Sequence, residues 1–403
     1  MKKGMALLLC LLLAAGMLSG CADAKEIDDT SFILSLGVDK GTEKTYEISF
    51  QLPVLAEEDS PSFRTIVCQA EGLSDAVALL NANTPYRVDF THLNFLVIGR
   101  TLAEEGVGQI IDPLMRMPQV RKGAMVIVAQ DTAKKFVQSL QSDENLNLMH
   151  LQQSIISEAG TSGIFPNFTL DMFYDSLYEQ RGAAVVALGM QSDEAKKPNS
   201  GSAISELPGY TMVESSIKSE LIGSAVFYDD RMVGTLTGEQ TRVWCMATGQ
   251  FGHGEISLPN PFGEGMLTLK LKQAGPVKTT VNTDGAYPSA QIEVPLNAFL
   301  VAYAGTENYE TLAKKEEIAA YVQQRLQEDL EEISREFAAW GVDGYSVGKA
   351  AAKNFKTQRD WADYQWPEKR KQLQVTVTPS VYVSLYRPAL GEERCLRYWS
   401  VWG

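Results

Sequence analysis

SFILSLGVDKGTEKTYEISFQL, residues 31–52, decides how the chain begins to fold. Apolar side chains fall at every second position in Phe32, Leu34, Leu36 and Val38, and again in Tyr46, Ile48, Phe50 and Leu52. Asp39-Lys40-Gly41 lies between the two runs as a turn, so the spacing predicts a β-hairpin with one face buried. Working outward, residues 53–63 are rich in Pro, Glu, Asp and Ser and read as a loop, and residues 65–70 as a strand holding Cys68. Ser74 reads as the N-cap of a helix that carries Ala76, Val77, Leu79 and Leu80. Residues 92–98 form a strand. A helix follows from Leu102, breaks near Gly106 and resumes through Ile110, Ile111, Leu114 and Met115. Residues 124–129 lack polar alternation, which predicts a strand buried on both faces. Helical stretches at 132–140, 146–158 and 169–178 precede a strand at 185–190.

Residues 191–210 change character to Ser, Asp, Lys, Pro, Asn and Gly and read as a linker. Beyond it the chain is strand-rich, at 221–227, 232–236, 266–272, 278–281 and 290–294. One long helix follows. Leu312, Ile318, Val322, Leu326, Leu330, Ile333, Phe337 and Trp340 step mostly by three and four, and Glu residues fill the other face. That is an amphipathic helix of about 30 residues, or ~45 Å, which Gly341 should stop. A strand over 373–385 closes the fold. The class is therefore α+β, with mixed β-sheets, packed helices and one long amphipathic C-terminal helix. The divisions are a leader at 1–20, an N-terminal domain at 21–190, a linker at 191–210, a C-terminal domain at 211–390 and a tail at 391–403. The helices within 73–190 leave two domains and three both open.

Residues 1–20 carry Lys2 and Lys3 and then a mostly apolar, uncharged run from Ala6 to Leu18. Thirteen residues fall short of the ~20 that span a bilayer, so the segment reads as a signal peptide. It ends in Leu18-Ser19-Gly20-Cys21. Small residues before a cysteine admit the backbone to a peptidase that cuts between Gly20 and Cys21, and the Cys21 thiol accepts a diacylglyceryl group. N-acylation of Cys21, with chains such as palmitate, completes the expected anchor, and more than one chain holds a protein stably at a membrane. Removing two lysines from a net charge of −14 leaves −16, which argues against a nucleic-acid binder. With 45% hydrophobic and 21% charged residues, the mature chain is not a disordered one. Cys68, Cys245 and Cys395 are far apart and form neither a disulfide framework nor a zinc motif.

Chemistry-bearing motifs are sparse. His92, His150 and His253 lack ligand spacing and read as structural. Gly249, Gly252 and Gly254 are not in dinucleotide-binding order and read as a loop, and no Walker lysine or nucleophile elbow occurs. The acidic face of the long helix reads as solvated. Residues 349–371 hold seven basic against three acidic side chains, interleaved with Trp361, Tyr364 and Trp366. The aromatics are expected to pack on the domain while the charges face water, the acidic helix, a partner or anionic lipid.

Several segments resemble one family. These are Cys21-Ala22-Asp23, Glu26-Ile27, Leu36-Gly37-Val38-Asp39-Lys40-Gly41, Phe90-Thr91-His92 running to Ile98-Gly99, and Leu102 to Gly106. Arg116 and Arg121 ahead of Val126-Ile127-Val128-Ala129 continue the pattern. Gly223 to Phe227, Met232-Val233-Gly234, Gly341-Val342-Asp343-Gly344, Trp361, Trp366 and Val375-Thr376-Val377 complete it. Together they are similar to the spore germination C-subunit family, the GerAC-type or Ger(x)C lipoproteins, over most of residues 21–385. The resemblance implies a non-enzymatic, lipid-anchored C subunit of a nutrient germinant receptor. Such a subunit assembles with two membrane-embedded subunits, A and B, on the outer face of the cell membrane, which is the inner membrane of the spore. It implies no catalytic residue, metal or cofactor. A solute-binding lipoprotein of a transporter would need two similar lobes around a cleft, and a surface hydrolase would need a nucleophile beside a base.

Overall fold

A computed structural model of the chain describes residues 4–5, 30–54, 62–84, 87–140, 148–192, 206–210, 218–303, 309 and 311–385. Cys21 with its Gly20–Cys21 cleavage point, most of the leader, most of the expected linker, and the tail with Cys395 lie outside these residues.

Eight strands make the first sheet: β2 (Ser35–Lys40), β3 (Tyr46–Val54), β4 (Ser62–Ala70), β6 (Phe95–Gly99), β7 (Met125–Ala129), β8 (Ala184–Gln191), β9 (Ser219–Tyr228) and β10 (Arg231–Leu236). Their order is β10-β9-β8-β7-β6-β2-β3-β4, with parallel pairing from β2 through β8 and antiparallel hairpins at both ends. The expected hairpin is present as β2 and β3, in register from Ser35 opposite Gln51 to Lys40 opposite Tyr46. Its first residues are not part of it. β1 (Thr30–Phe32) pairs in parallel with β5 (Arg87–Asp89), and the chain turns inward at the buried Ile33 and Leu34.

Helices cover both faces of this sheet, so β6 and β7 are buried at every residue, as the unbroken apolar run at 124–129 predicts. On one face lie α1 (Leu73–Asn83), α2 (Arg100–Glu105), α3 (Gly108–Arg116) and α6 (Leu170–Glu179). On the other lie α4 (Ala133–Ser139) and α5 (Leu148–Ala159), whose Phe136, Val137 and Leu148 meet Leu34, Val97 and Ile127. Gly72, not Ser74, is the N-cap of α1; its extended backbone sets the entry and Ser74 falls in the first turn.

The two sheets do not divide at the linker. β9 and β10 extend the first sheet through β8, and a new sheet begins only after α7 (Gly238–Thr248). That helix follows a capping box in which the Thr237 hydroxyl accepts from the Gln240 N–H and the Gln240 side chain accepts from the Thr237 N–H. The second sheet holds β11 (His253–Pro259), β12 (Met266–Gln273), β13 (Lys278–Asn282), β14 (Ser289–Tyr303) and β15 (Gln374–Leu385). The glycine-rich segment read as a loop is one only in part: Gly249 caps α7 with φ 72° and Gly254 already belongs to β11.

One face of the second sheet, with Leu267, Leu269, Ile292 and Val294, packs against Ile318, Val322, Leu330 and Phe337 of α8 (Leu312–Trp340). The 29 residues of α8 run as the periodicity predicts, and Gly341 ends the helix at φ 68°. The other sheet face is polar, with Gln291, Glu293, Thr376, Thr378 and Ser380 exposed. Short helices α9 (Val347–Ala351), α10 (Gln358–Tyr364) and α11 (Trp366–Lys369) lead into β15, which runs parallel to β14.

Candidate functional site

Three groups of residues that stand out in the sequence meet other elements in defined ways. The first is the end of β2, where Asp39 and Lys40, expected in the turn, are still paired with Glu47 and Tyr46, so that the turn begins only at Gly41. The Asp39 carboxylate accepts from the N–H groups of Ala133 (2.7 Å) and Lys134 (2.9 Å), capping α4. Burial pushes this carboxyl upward, while those two N–H groups oppose the shift. A Cβ on Gly99 would lie 2.0 Å from Asp39 Oδ1, so a glycine is needed where β6 passes. The Leu36–Gly41 and Ile98-Gly99 segments are thus two sides of one contact.

The second is the turn after α8. The Asp343 carboxylate is buried and accepts from Val347 N–H (2.9 Å) and Gly348 N–H (2.7 Å). Burial drives its pKa to about 6 in spite of those bonds and of Arg370. The Asp343 carbonyl accepts from Ala183 N–H at the approach to β8 (2.8 Å), and the Gly344 carbonyl from Trp244 Nε1 of α7 (2.7 Å). A Cβ on Gly344 would lie 2.3 Å from the Phe337 ring. This turn therefore joins the first sheet, α7 and α8.

The third is the aromatic and basic segment. Trp366 is buried, with Trp361 stacked on it at 5.6 Å and Tyr364 at 6.5 Å, and Phe355 packs edge-on to Trp361. Lys369 sits 4.0 Å over the Tyr364 ring. The aromatics pack on the domain as expected. The cations divide. Arg370 turns inward, donating to the Gln180 carbonyl (3.3 Å) and to Asp229 (3.4 Å) and lying over the Tyr228 ring. Lys349, Lys353, Lys356 and Arg359 are exposed, and only Arg359 has an ion-pair partner among the described residues, Asp363 at 3.9 Å. The segment thus presents four exposed cations on an acidic protein. None of it faces the acidic side of α8 in an ion pair among the described residues.

The acidic side of α8 is not uniformly solvated. The Gln240 amide donates to Glu332 and Glu336, and burial next to Glu239 pushes Asp329 up to about 6. The three histidines stay apart: His92 packs on Phe32, while His150 and His253 are exposed on α5 and β11. Among the described residues no group of three His, Cys, Asp or Glu is placed to hold a metal, and no helix is long and apolar enough to cross a membrane. Cys245 is buried and its thiol is pushed upward by that burial; Cys68 is half-buried.

The first domain also holds a buried polar chain that sequence reasoning misses. Ser35 donates to Gln51, Gln152 donates to Ser35, Asn94 donates to Gln152, and Arg121 donates to Asn94. These bonds tie α5 to the sheet through Gln152, which is wholly buried. A glutamine on a helix gives no sequence signal for such a role.

Residues 23–189 match the model of the spore germination protein N-terminal domain, and residues 222–385 match the spore germination B3/GerAC-like C-terminal model. YfkR of Bacillus subtilis (strain 168), a protein named for spore germination, is 22% identical over 395 residues, covering 94% of each chain. Spore germination protein B3 of the same organism is 23% identical over 58% of this chain and 59% of its own. The crystal structure of the GerBC protein superimposes with a TM-score of 0.51 at 13% identity, over 86% of this chain and 96% of that one. The fold is GerBC-like. With both family domains present in order, the chain belongs to the GerAC-type family of spore germination proteins, the C-subunit family of the germinant receptors.

Proposed function

We propose that this protein is the lipid-anchored, non-catalytic C subunit of a nutrient germinant receptor, held at the outer face of the cell membrane and assembled with two membrane-embedded subunits. The observation that carries the reading is the order of parts along one chain: a leader ending in Leu18-Ser19-Gly20-Cys21, then the two germination domains. A diacylated and N-acylated Cys21 would hold the body through more than one hydrocarbon chain. From Cys21 to Thr30, where the described fold begins, is nine residue steps, which reach at most ~30 Å. The body therefore works within a few tens of ångströms of the bilayer.

The exposed Lys349, Lys353, Lys356 and Arg359, close together in sequence on a chain of net charge −14, support a contact with anionic headgroups or with acidic partner surface. A solute-binding lipoprotein is disfavoured by the unlike halves, one sheet covered on both faces and the other on one. Affinity capture of the native protein from membranes in mild detergent tests the assembly. Two integral membrane proteins should come with it in fixed ratio; a protein recovered free of membrane partners would defeat the proposal.

A further inference from the structure

β15 is an edge strand: it pairs with β14 on one side, and among the described residues no strand pairs on the other. A groove of about 420 Å³ runs between this edge and α8. Leu373 and the first four strand residues, 374–377, line it consecutively, although a groove on a sheet face would meet only every second residue. The helix contributes Gln327, Glu331, Ser334, Arg335 and Ala338, one side of about three turns. Four steps of extended chain span ~13 Å and eleven steps of helix ~17 Å, so the two walls are of similar length.

The main-chain groups along this edge can be assigned. Gln374 N–H donates to the Pro288 carbonyl, on the β14 side. Thr376 and Thr378 share its parity and face β14, so Val375 and Val377 point their N–H and C=O groups at the groove. Pro379 has the same outward parity, where its missing N–H costs the β14 ladder nothing and ends the usable edge. Charge is uneven as well. Arg335 makes no ion pair among the described residues; Arg370 is buried and paired with Asp229 but keeps its Nε unpartnered, and Lys371 is paired with Glu368. Of the two acidic residues that line the groove, Glu331 accepts from Gln327 and Asp343 is held by the Val347 and Gly348 N–H groups.

We infer that this groove takes an extended, acidic peptide segment of a membrane-embedded partner, added as a strand to β15 beneath α8. Main-chain bonding to Val375 and Val377 supplies the affinity of strand addition, and the cations at the Arg370 end favour carboxylates there. The inference rests on the chain being a receptor subunit.

The test is photo-crosslinking in the detergent-solubilised receptor captured through this chain, with a benzophenone amino acid at Ala338 in the groove wall. The expected product joins Ala338 to an acidic, extended segment of a membrane subunit. Val375→Pro removes an outward N–H, together with some half-buried side-chain packing, and should lower its yield about tenfold, the equivalent of ~1.4 kcal/mol, and Arg335→Glu should lower it too. Arg335→Glu should keep the melting temperature of the parent, and Val375→Pro should stay folded with a modestly lower one. Captured membrane subunits without a crosslink at Ala338, a crosslink indifferent to Val375→Pro, or one reaching only residues 386–403 of the same chain would overturn the inference alone. Capture of no membrane subunit would sink the subunit reading together with it.

Discussion

Gly234 on β10 and Trp340, the last residue of α8, hold the first sheet and the long helix together, and an added methyl group should reveal it. A Cβ on Gly234 would lie 2.2 Å from Trp340 Cζ2 and 2.4 Å from Cε2. Gly234 is not among the residues with positive φ, so alanine suits its backbone. Two effects of opposite sign then set the outcome. Overpacking costs ~1–3 kcal/mol, because the half-buried indole must shift against Phe337. Replacing glycine by alanine at a compatible site returns ~0.4–1 kcal/mol through the unfolded chain. Gly234→Ala should therefore destabilise by up to about 2.6 kcal/mol net. In a Trp340→Ala background the clash is gone, and the same substitution should stabilise by ~0.4–1 kcal/mol. Urea unfolding followed by circular dichroism and by tryptophan fluorescence gives both numbers where the two probes coincide. An equal loss from Gly234→Ala in both backgrounds would show that α8 does not end on β10.

Other consequences follow from single contacts. Asp343 has a folded pKa of about 6, above the unfolded value near 3.8, so the folded state binds its proton more tightly. Stability should fall as pH rises from about 4 to 6, by on the order of 1.4 kcal/mol for each pH step of one across that window, and Asp343→Asn should flatten the slope; an unchanged slope in thermal melts would refute the assignment. Gln152→Leu leaves the Asn94 amide N–H without its buried acceptor and takes from Ser35 the donor it accepts from, and should cost ~1–3 kcal/mol by urea titration, against near-neutrality if the network is idle. Reversing Lys353, Lys356 and Arg359 to Glu should leave the melting temperature nearly unchanged but weaken binding to vesicles containing anionic lipid or to the captured membrane subunits. Unaltered binding in both assays would remove these cations from the function.

The elements that could be read from the sequence are those whose burial is periodic or complete. α8 shows a stripe of Ile318, Val322, Leu326 and Leu330 with Gly341 behind it, and β7 shows an unbroken apolar run. α7 escapes because Thr241, Arg242, Val243, Trp244 and Cys245 are all buried, so no polar face marks its period. β9 and β10 look like the start of the second domain because strand patterns do not name their partners; only the pairing with β8 across the linker assigns them. Trp361 and Trp366 can be foreseen as packed aromatics, since large rings bury where they can. Arg370 cannot be singled out among seven basic residues, because its partners Gln180 and Asp229 lie 190 and 141 positions away.

The anchor at Cys21 is the claim on which the proposed role depends most. Intact-mass and peptide mass spectrometry of the protein extracted from spore membranes reads it directly. The predicted mature N-terminus is Cys21 bearing a thioether-linked diacylglyceryl group and an N-linked acyl chain. A free Cys21 thiol, or a chain cut elsewhere and released from the membrane, would contradict it.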